Sequence, residues 1–341
     1  MAVLKAKAQK IIDFALPIMQ REATLPALYT KFNGDQFKGA LGDTVTMRTD
    51  SYGPTAVARD YEWRTRLQPI QFDDIGGGGE SGIPIKLDQH LYSATQLTDE
   101  NMTMDEVDLT REVIIPQIKA VTDRMNKRTE AMVAAAHWKR TLSFTASDDP
   151  MAVVAEAKNL LDADKVAPLD GRIFVVGSTI AGYWAASDRL TRYDSTGETG
   201  TPALRDATIG RLQGVQVVMS YAVSPTFACY QHPSAFVVSN IAPDVPSGVT
   251  AGARKAQDGF ALRWIADYDP AYLRDRSIVS AYYGASEVLD ERDADGNVLP
   301  DAQRTKNVRG IGLTFTDNEG GILAQSRKNQ GLNADGTRKA A

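Results

Sequence analysis

The chain has 341 residues, 43% of them hydrophobic and 24% charged, enough apolar material for one large domain or two interleaved ones and too much for a disordered tail. A formal net charge of −5 excludes the overall basic balance of a dedicated nucleic-acid binder. Cys229 is the only cysteine, so an intramolecular disulfide framework and a cysteine-built zinc site are both excluded; a reducing compartment suits it, and it reads as a small buried residue.

At the N-terminus, Lys5, Lys7 and Lys10 precede an apolar run, Ile11 to Leu16, that Asp13 and Pro17 interrupt, which predicts no signal peptide. No uninterrupted apolar stretch approaches the roughly 18 residues of a bilayer span, so no membrane partner is expected. Residues 1–40 mix short amphipathic pieces with Pro17, Pro26, Gly34 and Gly39, which predicts an arm lying across a partner instead of packing into a domain.

From Asp43 the pattern alternates: Thr44 to Thr49, a turn at Tyr52-Gly53-Pro54, then Asp60 to Leu67, predicting a long two-stranded hairpin. The run Gly76-Gly77-Gly78-Gly79 costs so much chain entropy that it marks a hinge, and the strand Ile83 to Asp88 leads back out. Between Thr98 and Thr141 the period becomes helical. Thr103 to Glu106 matches a capping box, and Ile114, Ile118, Val121, Met125, Met132 and Ala136 form one stripe. Asp123, Arg124, Lys127, Arg128 and Glu130 lie opposite, so the spacing predicts one two-faced helix over 105–140, bent at Pro116.

After Asp148-Asp149-Pro150 come a helix at 151–163, a strand at 172–177, a helix at 179–189, a polar loop at 194–201 and strands near 214–220, 227–231 and 234–239. These form a compact α/β unit. The Pro-, Gly- and Ala-rich stretch 242–258 reads as a connection into strands near 259–268 and 276–289. A turn at 293–297, a strand at 307–316 and a polar tail from Ser326 complete the chain.

The order arm, hairpin, long helix, α/β unit, returning strands resembles that of the major capsid proteins of tailed bacteriophages, nearest the coat proteins of short-tailed temperate phages. The phrases Phe37 to Val45, Gly171 to Val176, Ile209 to Val217 and Tyr282 to Ala285 carry the resemblance. It implies an α+β, HK97-like major capsid fold. Its divisions are an N-terminal arm (1–40), an extended loop (41–95), a spine-helix peripheral domain (96–148), an axial domain (149–256), peripheral return strands (257–325) and a tail (326–341).

It further implies hexamers and pentamers of one icosahedral shell, a scaffolding protein and portal during assembly, a possible cement protein, and non-specific contact with packaged double-stranded DNA. The virion is the implied location, with assembly in the host cytoplasm, and assembly instead of catalysis is the implied mechanism. The branch can carry a large inserted β-domain, for which this chain has no room.

A hairpin of this length cannot bury both faces on its own domain, so Tyr61, Trp63 and Leu67 need another surface. The expected intersubunit contacts are Arg59, Asp60, Glu62, Trp63, Arg64 and Arg66 of the loop with Asp123, Arg124, Lys127 and Arg128 of the helix; such charges set register more than affinity. No lysine lies between Lys38 and Lys86, so the loop has no amine for covalent crosslinking.

Other chemistry reads weakly. Asp293 to Asn297 resembles the opening of a calcium loop but lacks its later Glu and fits a hairpin turn better. The four glycines precede a strand and no Gly-Lys-Ser/Thr, unlike a phosphate loop. His90, His137 and His232 are scattered, and Ser178, Ser220 and Ser224 lack a nucleophile elbow, so no catalytic residue, metal or cofactor is expected. The alternatives are a bacterial nanocompartment shell, which has the same fold, and a cytosolic α/β enzyme or ligand-binding protein built on residues 150–240.

Overall fold

A computed structural model describes residues 2–32, 44–48, 82–98, 109–164, 171–186, 211–221, 223–271, 274–291, 299 and 303–316. The chain begins with helix α1 (Ala2–Glu22), which runs on through Pro17. Ala8, Ile12, Ala15, Leu16 and Met19 recur at helical spacing and are all buried. An interior proline costs about 3 kcal/mol; burying Ile12, Leu16 and Met19, at about 1.5–3 kcal/mol each, outweighs it. Lys255 donates to Asp13 at 2.7 Å, and Gln20 to the Gln257 carbonyl at 3.2 Å. Residues 8–22 are therefore part of the chain's own core, which corrects the expectation of an arm packed only on a partner: the helix breakers hid a continuous apolar stripe.

The first sheet is organised by one long strand, β13 (Arg274–Glu287). Along one edge it pairs with β12 (Phe260–Asp269) and, further on, with β10 (Phe236–Ile241). Along the other it pairs with β4 (Gln89–Thr98). Strand β1 (Thr30–Phe32) lies parallel on β10, and β11 (Ala251–Gln257) closes a hairpin on β12. That hairpin turns at Asp258-Gly259, whose φ values of 54° and 76° are those of a two-residue primed turn.

Helix α2 (Ile115–Ala134) lies on this sheet beside α1, preceded by a π-helical turn over Leu109–Ile114. The predicted stripe Ile114, Ile118, Val121, Met125 and Met132 is buried. The helix is shorter than predicted and stops at Ala134, because Trp138 to Thr145 alternate as strand β5 instead. Trp138 covers Gly310 and Gly312, where a Cβ atom would come within 2.4 and 2.5 Å of its ring.

The second sheet runs β5 (Trp138–Thr145), β14 (Asn307–Thr316), β9 (Phe227–Gln231), β6 (Ile173–Val176), β8 (Val215–Met219), β7 (Arg211–Leu212). Helices α3 (Pro150–Asp164) and α4 (Ser178–Ala185) cover one face, packing Val154, Leu161, Ile180 and Trp184 on Phe174, Val176 and Tyr230. On the other face Ile173, Val175 and Cys229 join the core that contains Tyr29 and Phe236. Being covered twice, β6 is apolar at every position. Sheet membership cuts across the expected division: β14, from the return strands, sits in the second sheet, whereas β10 and β11, from within 149–256, belong to the first.

Candidate assembly surface

Strands β2 (Thr44–Arg48) and β3 (Gly82–Lys86) pair antiparallel, with Thr44 opposite Lys86 and Arg48 opposite Gly82. The pair thus sets Arg48 beside Gly82, the two ends of the stretch 49–81 that lies outside the described residues, and is the root of the expected loop.

Three features fix the root. Ile85 is fully buried with Val237 and Val288, flanked by Phe32, Leu87 and Ile241. At Gly284 a Cβ atom would sit 2.2 Å from the Lys86 carbonyl oxygen, so only glycine lets the root cross β13 this closely. Two residues on, Asp88 Oδ2 accepts from Arg128 Nη2 at 2.6 Å and Nε at 3.0 Å, tying the root to α2. Thr129 Oγ1 then lies 2.6 Å from the Tyr283 hydroxyl. Burial pushes the Tyr283 phenol up from its ordinary pKa.

Gln117 holds the other end of α2. Its buried amide donates to the Ser277 carbonyl at 2.7 Å and Thr95 Oγ1 at 3.0 Å, and its Oε1 accepts from Ser277 Oγ at 2.9 Å. Trp264 Nε1 donates to the same Ser277 hydroxyl at 3.0 Å. A fully satisfied buried network of this kind fixes how the helix sits on β4, β12 and β13.

The face of the first sheet opposite the helices carries His90, Tyr92 and Tyr282. The His90 ring is 4.6 Å from that of Tyr282 and 6.0 Å from that of Tyr92, which is 69% exposed. Burial first, and then the charge of Arg263, lowers the His90 pKa. Arg263 donates to the Asp244 carbonyl at 2.6 Å, and Arg254 pairs with the Asp244 carboxylate. Between this face and the loop root runs an open groove of about 1020 Å³, lined by Phe32, Leu87, Ile241, Asp244, Arg254 and Tyr282.

No protein-family model matches the chain, and no curated protein does. Among solved structures it is similar to one from Mycobacterium phage Che8, at 18% identity over 85% of this chain and 90% of that one, with a TM-score of 0.54. The chain has the Hong Kong 97 type fold. Looser likenesses are to the mature capsid of bacteriophage PhiM1 (13% identity, 86% of each chain, TM-score 0.49) and to a virus-like particle from Pyrococcus furiosus (8% identity, 90% and 99%, TM-score 0.47).

Within this Hong Kong 97 type fold, the expected contact residues divide. Arg59, Asp60, Glu62, Trp63, Arg64, Arg66 and the hinge Gly76, Gly77, Gly78 and Gly79 lie outside the described residues. Asp123, Arg124 and Lys127 are exposed together on α2, with Lys127 Nζ 2.7 Å from Asp123. Arg128 differs from the expectation: it turns to Asp88 of its own chain, because its place one residue round the helix faces the root.

Residues 89–95 also differ. Expected in the projecting loop, they are part of β4, bonded along β13 in the body. The His90, Tyr92 and Tyr282 group was missed; the aromatic alternation of His90 and Tyr92 was its signal. His137 instead pairs with Glu287, and His232 with Ser234. Among the described residues no cluster could hold a metal ion, and the 293–297 turn lies outside them.

Proposed function

We propose that this chain is a shell subunit, the major capsid protein of a tailed phage, whose copies form the hexamers and pentamers of one icosahedral shell around a double-stranded DNA genome. The observation that carries this reading is the loop root: in a chain with the Hong Kong 97 type fold, the antiparallel strands β2 and β3 bracket residues 49–81, with Arg48 set beside Gly82. That stretch holds Tyr61, Trp63 and Leu67 among Arg59, Asp60, Glu62, Arg64 and Arg66, an apolar row with mixed charges that suits burial on a neighbour. Assembly is then the mechanism, with a scaffolding protein and portal as partners during construction, a cement protein as a possible addition, and the virion as the location.

Electron microscopy of the purified protein is the direct test. Closed shells or capsomers support the proposal, and a monodisperse monomer overturns it. In the assembled state the loop charges meet Asp123, Arg124 and Lys127 of an adjacent copy, so reversing Arg64 and Arg66 to Glu should depress shell yield. With no lysine between Lys38 and Lys86 the shell is held non-covalently, and its subunits should separate fully in hot denaturant.

A further inference from the structure

Among the described residues each six-stranded sheet ends in strands whose outer edge pairs with no other strand, and proteins normally blunt such edges with charge, proline or shortness. Among the described residues four edges are blunted in this way. Strand β1 has three residues including Lys31, and β7 has two including Arg211. Strand β11 carries Arg254 and Lys255, and β5 carries Lys139 and Arg140. Strand β4 departs from this rule. It is ten residues long, Gln89-His90-Leu91-Tyr92-Ser93-Ala94-Thr95-Gln96-Leu97-Thr98, without a lysine, arginine, acid or proline. It pairs in unbroken register with β13 on one side, with no bulge to twist it away.

We infer that β4 is a docking edge for β4 of a second copy of the chain, antiparallel across a two-fold axis. The occupant follows from charge. A two-fold axis sets residues at equal distances from it opposite one another, so a charged strand matches its own copy only where opposite charges are placed symmetrically, whereas an uncharged strand meets its copy with no like-charge contact in any register. Pairing with a different protein selects complementary charges instead, which β4 lacks. Its exposed row His90, Tyr92, Ala94 and Gln96 is also self-complementary, since the axis lays small and aromatic side chains against the same set. Joining two copies this way continues the first sheet from one molecule into the next and satisfies the open edge. The inference rests on the shell reading for its supply of copies.

The buried Cys229, whose burial pushes the thiol pKa up, leaves a quiet background for thiol chemistry. Single cysteines are placed in the full chain as His90→Cys, Tyr92→Cys, Ala94→Cys and Gln96→Cys, and each preparation is imaged, mildly oxidised and run on a non-reducing gel. Facing Cβ atoms on antiparallel strands lie about 4.5–5.5 Å apart, so only positions at the axis crosslink.

One position, or two neighbouring ones, should give at least ten-fold more dimer than the others, and adding Ala94→Lys should lower that dimer at least ten-fold with circular dichroism unchanged. Shells that form without a position-limited dimer, or with equal dimer at all four, overturn the inference and leave the shell reading standing. Position-limited dimers without shells or capsomers do the reverse, and the absence of both overturns both.

Discussion

The second sheet is covered on both faces, by α3 and α4 on one side and by the Tyr29 and Phe236 core on the other; among the described residues the first sheet is covered by α1 and α2 on one face and by the loop root over only part of the other. Its other face presents Tyr92, Tyr282, Arg263 and Arg254, and its edge is β4. The same chain thus builds one sheet whose apolar content is consumed internally and another that, among the described residues, leaves part of a face and the β4 edge exposed. On the proposed shell reading, stability and assembly lie in different parts of the molecule, so they should also be separable by mutation.

The strongest way to break this comparison is to truncate an aromatic side chain in each sheet. Phe174→Ala, in the twice-covered sheet, should cost about 3–5 kcal/mol in urea unfolding. Tyr92→Ala, on the open face, should stay within about 0.5 kcal/mol. Equal costs would mean that the open face is structural. Next in size, Gly284→Ala drives a Cβ into the Lys86 carbonyl and should cost about 1–3 kcal/mol while raising tryptic cleavage at Lys86, because the loop root must lift.

Gln117→Leu should cost a similar about 1–3 kcal/mol, since the Ser277 carbonyl loses its amide donor in a buried setting. A neutral result would show that the network does not set the seat of α2. The smallest effect belongs to Arg128→Ala: the pair with Asp88 is partly exposed, so the cost should be about 1 kcal/mol or less and should shrink with added salt.

Periodicity made much of this legible. The stripe from Ile114 to Met132 and the strand at 307–316 were readable because burial on one face repeats at 3.6 or 2 residues. Strand β11 was not read, its Ala, Gly, Lys and Arg content being poor in strand signal, although Asp258-Gly259 was a hairpin turn in plain view. The end of α2 was missed because Ala134, Ala135 and Ala136 suit a helix, and only Trp138 settling over Gly310 and Gly312 ends it. For the contact surface, the exposed charges at Asp123, Arg124 and Lys127 followed from helical spacing. That Arg128 turns to Asp88 of its own chain did not, because that partner is 40 residues away.

By itself the sequence determined the strands at 173–176, 227–231 and 307–316, the buried helical stripe, the burial of Cys229 and the order of elements behind the resemblance. All of these depend on neighbours within a few residues. Tertiary structure alone decided that α1 joins the core despite Pro17, that β10 and β14 exchange sheets relative to their place in the chain, and that β4 lies at an edge. Those outcomes depend on which distant strand takes each ladder position along β13 and β14, and hydrogen-bonding edges look alike from any one strand until all compete for the same partners.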